Sequence, residues 1–313
     1  MSRPTIAYLG PEGTYTHQAA HDVCASDVQY VAKGSIREVF GALDESVTLA
    51  LVPLENSTYG SVVETYDTFR DPRMGSKVFV RSEHVLAIQH CLIALPGTRM
   101  EEITRIISHE QALGQCAEFI RTKLPKAKKV SVASTALAAK SLLDEFDGTH
   151  KTSAAICSAV CITVYPGLEI LSRSVQDGPA NQTRFLLLHT QRLDPLPLTK
   201  PLDLYLSALI RVRVEAPPSS KLNLDLSGIF RSLVATPATT LCSLSIRHVN
   251  RRPSLNAIPF NDTVFIELEG GHDRPAVALD LWYSAVIAGV ERVRHYLQDS
   301  GYIEGEVVCI GSW

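Results

Sequence analysis

Short apolar runs alternate with amphipathic stretches along the first half of the chain. Runs at Thr5–Leu9, 28–32 and 48–52 predict buried strands, and the stretches 14–24, 36–44 and 61–69 predict helices. A second round follows: a long strand over 85–95, a strand at 105–107 and a helix over 109–122. Then come a strand at 129–132, a helix over 134–145, a strand at Ser153–Cys157 and a short helix reaching Tyr165. Strands separated by helices imply parallel sheets with right-handed crossovers. Each round, roughly 80 residues, is small for an independent core, so the two are expected to pack as lobes. The apolar run 183–189 suits a strand returning to the first lobe. That return makes the first lobe discontinuous and sets Thr183 near the crossing between lobes, where small ligands bind.

The pattern breaks at 191–201, where Pro195, Pro197 and Pro201 mark an extended linker. Beyond it, strands are predicted at 204–214, 239–249 and 262–268, with a helix over 222–233. Pro275 opens a further helix whose apolar positions Leu279, Trp282, Val286, Val290, Val293 and Leu297 recur every three or four residues. A last strand at 307–310 completes a βαββαβ order, one helical layer on one antiparallel sheet.

The 313 residues suit two domains, and 45% hydrophobic with 20% charged residues is ordinary for a soluble globular protein. A net charge of −3 gives no electrostatic case for nucleic acid or an anionic membrane. The opening Met1-Ser2-Arg3-Pro4 passes straight into a strand, so no signal peptide is expected, and no apolar run approaches membrane-spanning length. Seven scattered cysteines read as reduced thiols of a cytosolic protein. Cys157 and Cys161 lie four apart but lack further ligands at suitable spacing, which favours packing over metal binding.

Candidate chemistry gathers at strand-to-helix junctions. Gly10-Pro11-Glu12-Gly13-Thr14-Tyr15 is a tight turn in which Thr14 caps a helix or binds a ligand, without the spacing of a nucleotide fingerprint. Glu55-Asn56-Ser57-Thr58-Tyr59-Gly60-Ser61 ends a strand with more polar groups than a cap requires, and such a cluster can hold a carboxylate. Ser108-His109-Glu110-Gln111 reads as an N-cap with a capping box, and Gln115 points toward the same cleft. Ser134-Thr135 has the same dual reading. In Asn181-Gln182-Thr183-Arg184-Phe185, strand alternation puts Thr183 and Phe185 on one face and Arg184 on the other.

Together, Gly10-Pro11-Glu12-Gly13-Thr14, Glu55-Asn56-Ser57 with Gly60, Ser108-His109 with Gln115-Cys116, and Asn181-x-Thr183-Arg184-Phe185 resemble the prephenate dehydratases over about residues 5–190. The region beyond resembles the regulatory ACT domain that follows in that family. The resemblance implies an α/β fold: a two-lobed catalytic domain like a periplasmic binding protein, then a C-terminal α+β ACT domain of βαββαβ order. It implies a catalytic domain over 1–192, with one lobe about 1–80 plus 166–192 and the other about 81–165. A linker at 193–202 and an ACT domain at 203–313 follow.

It also implies decarboxylating dehydration of prephenate to phenylpyruvate in phenylalanine biosynthesis, with no cofactor and no metal, because aromatisation supplies the driving force. The family's essential threonine maps to Thr183. Thr14, Asn56, Ser57, Ser108, Gln115, Ser134, Thr135, Asn181, Arg184 and Phe185 fall at the substrate. Arg184 is open between pairing a carboxylate and a structural ion pair. Phenylalanine is the implied effector at Leu222, Asn223, Leu224, Asn250, Arg252 and Pro253. Here Lys221-Leu222-Asn223-Leu224-Asp225-Leu226 replaces the usual Gly-Ala-Leu turn, and Asn250-Arg251-Arg252-Pro253 the usual Glu-Ser-Arg-Pro. The family's ACT domains pair, which implies a homodimer or tetramer, with no nucleic-acid or membrane partner. Arogenate dehydratase chemistry and a non-catalytic sensor of aromatic carboxylates are the alternatives.

Overall fold

A computed structural model describes residues 3–25, 28–144, 152–178, 181–192, 195–198, 206–215, 225–235, 244–253, 262–270, 279–302 and 304–313. They fall into two compact units. One comprises Met1–Val62, His84–Phe185 and Pro197–Thr199; the other comprises Val63–Glu83, Leu186–Leu196 and Lys200–Trp313.

The first unit opens with β1 (Thr5–Leu9), α1 (Tyr15–Cys24), β2 (Gln29–Lys33), α2 (Ile36–Gly41), β3 (Leu49–Asn56) and β4 (Gly60–Ser61). Thr14 caps α1 through His17 N–H, and Ala19, Ala20, Val23 and Cys24 form the buried stripe of that helix. Ser35 caps α2 through Glu38 N–H, while Glu38 reaches back to Gly34 N–H. β1 runs parallel to both β2 and β3, with Ile6 opposite Tyr30 and Leu49. As expected for a strand covered on both faces, Leu49, Ala50, Leu51, Val52 and Leu54 are all buried.

The chain next forms α3 (Val63–Thr68) and β5 (Phe79–Ala87). The second sheet of the first unit then follows: β6 (Cys91–Ala94), β7 (Arg105–Ser108), α4 (Glu110–Gln115), α5 (Ala117–Lys123), β8 (Lys128–Ser131), α6 (Thr135–Asp144), β9 (Ser153–Cys157), α7 (Cys161–Val164) and β10 (Glu169–Ser172). Its order is β10–β6–β9–β7–β8. β7 is parallel to β8 and β9, but β6 is antiparallel to β9 and β10, so this sheet is mixed where the alternation predicted a parallel one. Strand polarity depends on where the chain enters the sheet, which local periodicity does not encode. Leu92, Ile106 and Ile156 pack to one side with Leu113 and Ile120; Ile93, Ile107 and Ala155 pack to the other with Ala136, Ala139 and Leu142.

Two sequence expectations change here. The continuous strand over 85–95 is broken at 88–90, and the helix over 109–122 is two helices meeting at Cys116. In the helix the apolar pattern continues through the turn at Cys116, whereas in the strand the polar pair Gln89-His90 falls at the break. β11 (Gln182–His189) lies next to β3 in the first sheet, on the order β11–β3–β1–β2.

The second unit carries β12 (Ser207–Glu215), α8 (Leu226–Val234), β13 (Leu244–Pro253), β14 (Asp262–Gly270), α9 (Leu279–Asp299) and β15 (Glu304–Ser312). This is the expected βαββαβ order, with antiparallel neighbours β13–β14–β12–β15. Trp282, Val286, Val290, Val293 and Leu297 of α9 pack with Ile229 and Leu233 of α8 on Ile210, Val212, Val264, Ile266 and Leu268. Phe265 faces the other way and meets the rings of Tyr66 and Phe69. Beside it Arg211, only 1% exposed, donates to the Phe69 and Asp71 carbonyls at 2.8 and 2.9 Å and to Glu306 at 2.6 Å. Residues 63–83 therefore cover the second face of this sheet, a layer absent from the sequence reading. Leu222, Asn223, Leu224 and Pro275 lie outside the described residues.

Candidate active site

The chain passes between the two sheets of the first unit at 88–90 and again between β10 and β11, and the polar junctions collect around these crossings. Ile88 N–H donates to the Asn181 carbonyl (2.8 Å), and Val175 N–H donates to the His90 carbonyl (2.9 Å). The crossings thus brace one another. Each buried amide is satisfied without a regular ladder.

The first cluster stands at the C-terminal end of β3 and the start of β11. Ser57 N–H donates to the Gln182 carbonyl at 2.8 Å, and Gln182 N–H returns a bond to Ser57 Oγ at 2.9 Å. Asn56 Oδ1 accepts from Thr58 and Tyr59 N–H at 3.0 and 3.1 Å. Backbone amides only donate, so these two bonds fix which end of the Asn56 amide is oxygen. The nitrogen end then donates to Asn181 Oδ1 (2.7 Å) and Thr183 Oγ1 (2.9 Å), with the Gln182 carbonyl at 3.2 Å sharing.

The consequence is directional. An amide N–H cannot accept, so Thr183 Oγ1 must accept from it, and the Thr183 hydroxyl proton is turned elsewhere. Among the described residues no acceptor takes that proton, and none takes the Asn181 Nδ2 protons. Thr183 itself is 8% exposed, beside the exposed Ser57 and Gln182.

The second cluster stands at the other crossing. Tyr15, the first residue of α1, places its hydroxyl 2.6 Å from His90 Nδ1, and His90 Nε2 lies 2.6 Å from Gln115 Oε1. Burial lowers the His90 pKa and raises that of Tyr15 well above the usual phenol range, so both are neutral at pH 7. Gln115 closes α4, and its carbonyl accepts from Asp177 N–H at 2.7 Å.

The β1–α1 turn is held from the second sheet. Its Gly13 carbonyl accepts from Ser158 Oγ (2.7 Å) and Cys161 Sγ (3.3 Å), and Tyr165 donates to the Glu12 carbonyl (3.0 Å). Gly13 has φ +85°, and a Cβ there would lie 3.1 Å from Cys161 Sγ and 3.3 Å from Ala136 Cβ. Burial pushes the Cys157 thiol well above its usual range and the Cys116 thiol up to about 12, which leaves both inert as nucleophiles. Among the described residues no group of three or more His, Cys, Asp or Glu side chains could hold a metal ion.

Several of the residues expected at the substrate make contacts within the protein. Ser108 is fully buried and donates to the Ile156 carbonyl at 2.6 Å, tying β7 to β9; the helix cap is His109 instead. Phe185 is 1% exposed and belongs to the core. Arg184 pairs with Glu55 Oε2 at 3.0 Å, as strand alternation allows. The Thr14 hydroxyl is occupied by Leu9 O and His17 N–H, and Ser134 caps α6 through Leu137 N–H. Thr135 opens α6. Thr14, Ser108 and Ser134 thus serve the backbone, and junctions need caps whatever else they do.

Sequence reasoning passes over Tyr15 and His90. Tyr15 directly follows the glycine turn, and the pair Gln89-His90 interrupts an apolar run. That interruption was the available signal.

Residues 6–192 match the family model for prephenate dehydratase. A bifunctional chorismate mutase/prephenate dehydratase of Stutzerimonas stutzeri is 36% identical over 191 residues, 61% of this chain and 50% of that protein. Arogenate dehydratase 3, chloroplastic, of Arabidopsis thaliana is 36% identical over 194 residues, covering 61% of this chain and 43% of the plant protein. The chain therefore spans about half the length of the curated relatives it matches. A crystal structure of prephenate dehydratase in complex with L-Phe from Arthrobacter aurescens superposes with a TM-score of 0.71 at 24% identity, covering 98% of this chain and 89% of that one, which shows a shared fold. The matched span contains every junction built above, from Thr14 to Arg184, and the chain belongs to the prephenate dehydratase family.

Proposed function

We propose that this chain catalyses the decarboxylating dehydration of prephenate to phenylpyruvate, the step that forms the phenyl ring of L-phenylalanine. One observation carries the reading: Asn56 Nδ2 donates to Thr183 Oγ1 and so releases the Thr183 proton toward an incoming acceptor. The reaction expels the ring hydroxyl and the ring carboxylate together. The carbon–carbon pair of the departing carbon dioxide enters the ring as the carbon–oxygen bond breaks. Hydroxide leaves as water when Thr183 supplies a proton or a short hydrogen bond, and solvent restores the hydroxyl. The change is redox-neutral. The amide donors of Asn181 and Gln115 suit the substrate's carboxylates, and orientation contributes much of the rate.

In this reading the two sheets of the first unit are lobes of a binding-protein-like catalytic domain, roughly residues 1–192, and the βαββαβ region is an ACT domain that binds phenylalanine. Support comes from the element order and from the solved relative's complex with L-Phe. Within the implied effector motif, Arg252 pairs with Asp67 at 3.3 Å, while Asn250 Oδ1 is buried without a partner among the described residues. A homodimer or tetramer through ACT domains and a cytosolic location belong to the same reading; no helix among the described residues is long and apolar enough to cross a membrane.

Arogenate, which bears an amine where prephenate bears a ketone, is the second reading, favoured by the plant relative. Following phenylpyruvate by its ultraviolet absorbance, and phenylalanine chromatographically, with each substrate in turn decides between them. Production of neither above the spontaneous rate refutes both. A calorimetric titration with phenylalanine that shows no heat, together with unchanged turnover, refutes the effector site.

A further inference from the structure

His90 makes four hydrogen bonds from a site that is 2% exposed. Its N–H donates to Gln176 Oε1 (3.0 Å) and its carbonyl accepts from Val175 N–H, so both crossings fix the residue. Its ring lies edge-on to Tyr15 at 5.5 Å between centroids, which leaves the imidazole no freedom to swing.

A neutral imidazole has one donor and one acceptor nitrogen, and their assignment sets the polarity of both partners. With the proton on Nε2, Gln115 must turn its oxygen to His90, and its NH₂ is left to face a ligand. With the proton on Nδ1, Tyr15 must give its own proton to the Gln89 carbonyl. Gln115 must then turn its NH₂ inward and present a carbonyl oxygen, which repels an anion.

Distances favour the first arrangement. The Tyr15 hydroxyl is 2.6 Å from His90 Nδ1 but 3.2 Å from the Gln89 carbonyl, and a phenol donates more strongly to imidazole nitrogen than to an amide oxygen. Tyr15 thus protects Nδ1 as the acceptor, and His90 passes that choice to Gln115.

We propose that His90 is a positioning residue: through its Nε2 proton, it holds the Gln115 amide with its donors toward the substrate carboxylate, and Tyr15 sets its tautomer. This rests on the dehydratase reading, because the anionic ligand comes from it. The fold supplies the device, as Tyr15, His90 and Gln115 come from α1, a sheet crossing and α4.

Two measurements test it in the full chain. Nitrogen-15 NMR of histidine-labelled protein, with His90→Phe to assign the signal, is expected to show His90 as the neutral tautomer protonated on Nε2. Protonation on Nδ1 overturns the proposal, and this readout does not depend on turnover. Kinetics with prephenate supply the second arm. His90→Phe is expected to raise KM about tenfold or more, the size of a lost hydrogen bond to a charged group, with a smaller change in kcat. His90→Gln, whose amide keeps a donor near Nε2, is expected to recover most of that loss. Gln115→Ala combined with His90→Phe is expected to be no worse than Gln115→Ala alone. Additive losses, or no rescue by glutamine, overturn the proposal. Absence of prephenate turnover in the unaltered protein instead sinks the functional reading and leaves the tautomer result standing.

Discussion

Asn56→Asp is a near-isosteric test of how the Thr183 proton is aimed. The aspartate keeps an oxygen for Thr58 and Tyr59 N–H, so the turn after β3 is retained. Its second oxygen replaces the nitrogen that lies 2.9 Å from Thr183 Oγ1 and 2.7 Å from Asn181 Oδ1. Thr183 then donates to the carboxylate, and its single proton is no longer available to a leaving hydroxyl. Loss of a positioned proton donor costs roughly 10²- to 10⁴-fold in rate, or about 3–5 kcal/mol at 1.36 kcal/mol per decade. The loss should appear in kcat from steady-state phenylpyruvate formation, with KM changed far less, since the residue is assigned to the leaving step. Thr183→Val combined with Asn56→Asp should add little to the loss from Asn56→Asp alone, because both changes remove the same proton. A kcat within tenfold of the unaltered protein, or fully additive losses in the double variant, would refute the reasoning.

Other expectations follow from groups around the site and in the second unit. Arg184→Met should lower stability by about 1–3 kcal/mol in urea titration, since it strands the partly buried Glu55 carboxylate, and Glu55→Gln should restore part of the loss. Arg211→Met should cost about 3–5 kcal/mol in urea titration, because it deprives the Phe69 and Asp71 carbonyls of their donors and Glu306 of its partner. Bonds from Ser227, Tyr296 and Gly228 hold the Asp225 carboxyl well below the usual carboxylate range. Its contribution is therefore fully present above about pH 4, the unfolded value, and fades as pH falls toward the lower folded value. Asp225→Asn should flatten that part of the melting-temperature-versus-pH curve, and an unchanged curve would show that the cap carries no linkage.

Much of the molecule is legible in the chain before folding. Alternation and capping place β1, α1, β2, β3, β9, β11 and the face of α9, because each is fixed by local periodicity and by polar residues that satisfy helix ends. The order of strands and helices in the second unit is legible for the same reason. The junctions bearing Asn56, Gln115 and Thr183 are visible as polar clusters denser than caps require. Tertiary structure decides what those clusters can do. Ser108 and Phe185 lie in the same motifs as Gln115 and Thr183, yet packing buries both. Arg184, open between two roles in the sequence, is claimed by Glu55 across a strand pair that brings residues 129 positions apart into contact. His90 reads only as part of a polar break in an apolar run until the chain's turn at 88–90 sets it between Tyr15 and Gln115. Local sequence determines which groups a segment can offer, since that depends on neighbours a few residues away. Which of them keep a free proton depends on partners brought together only by folding.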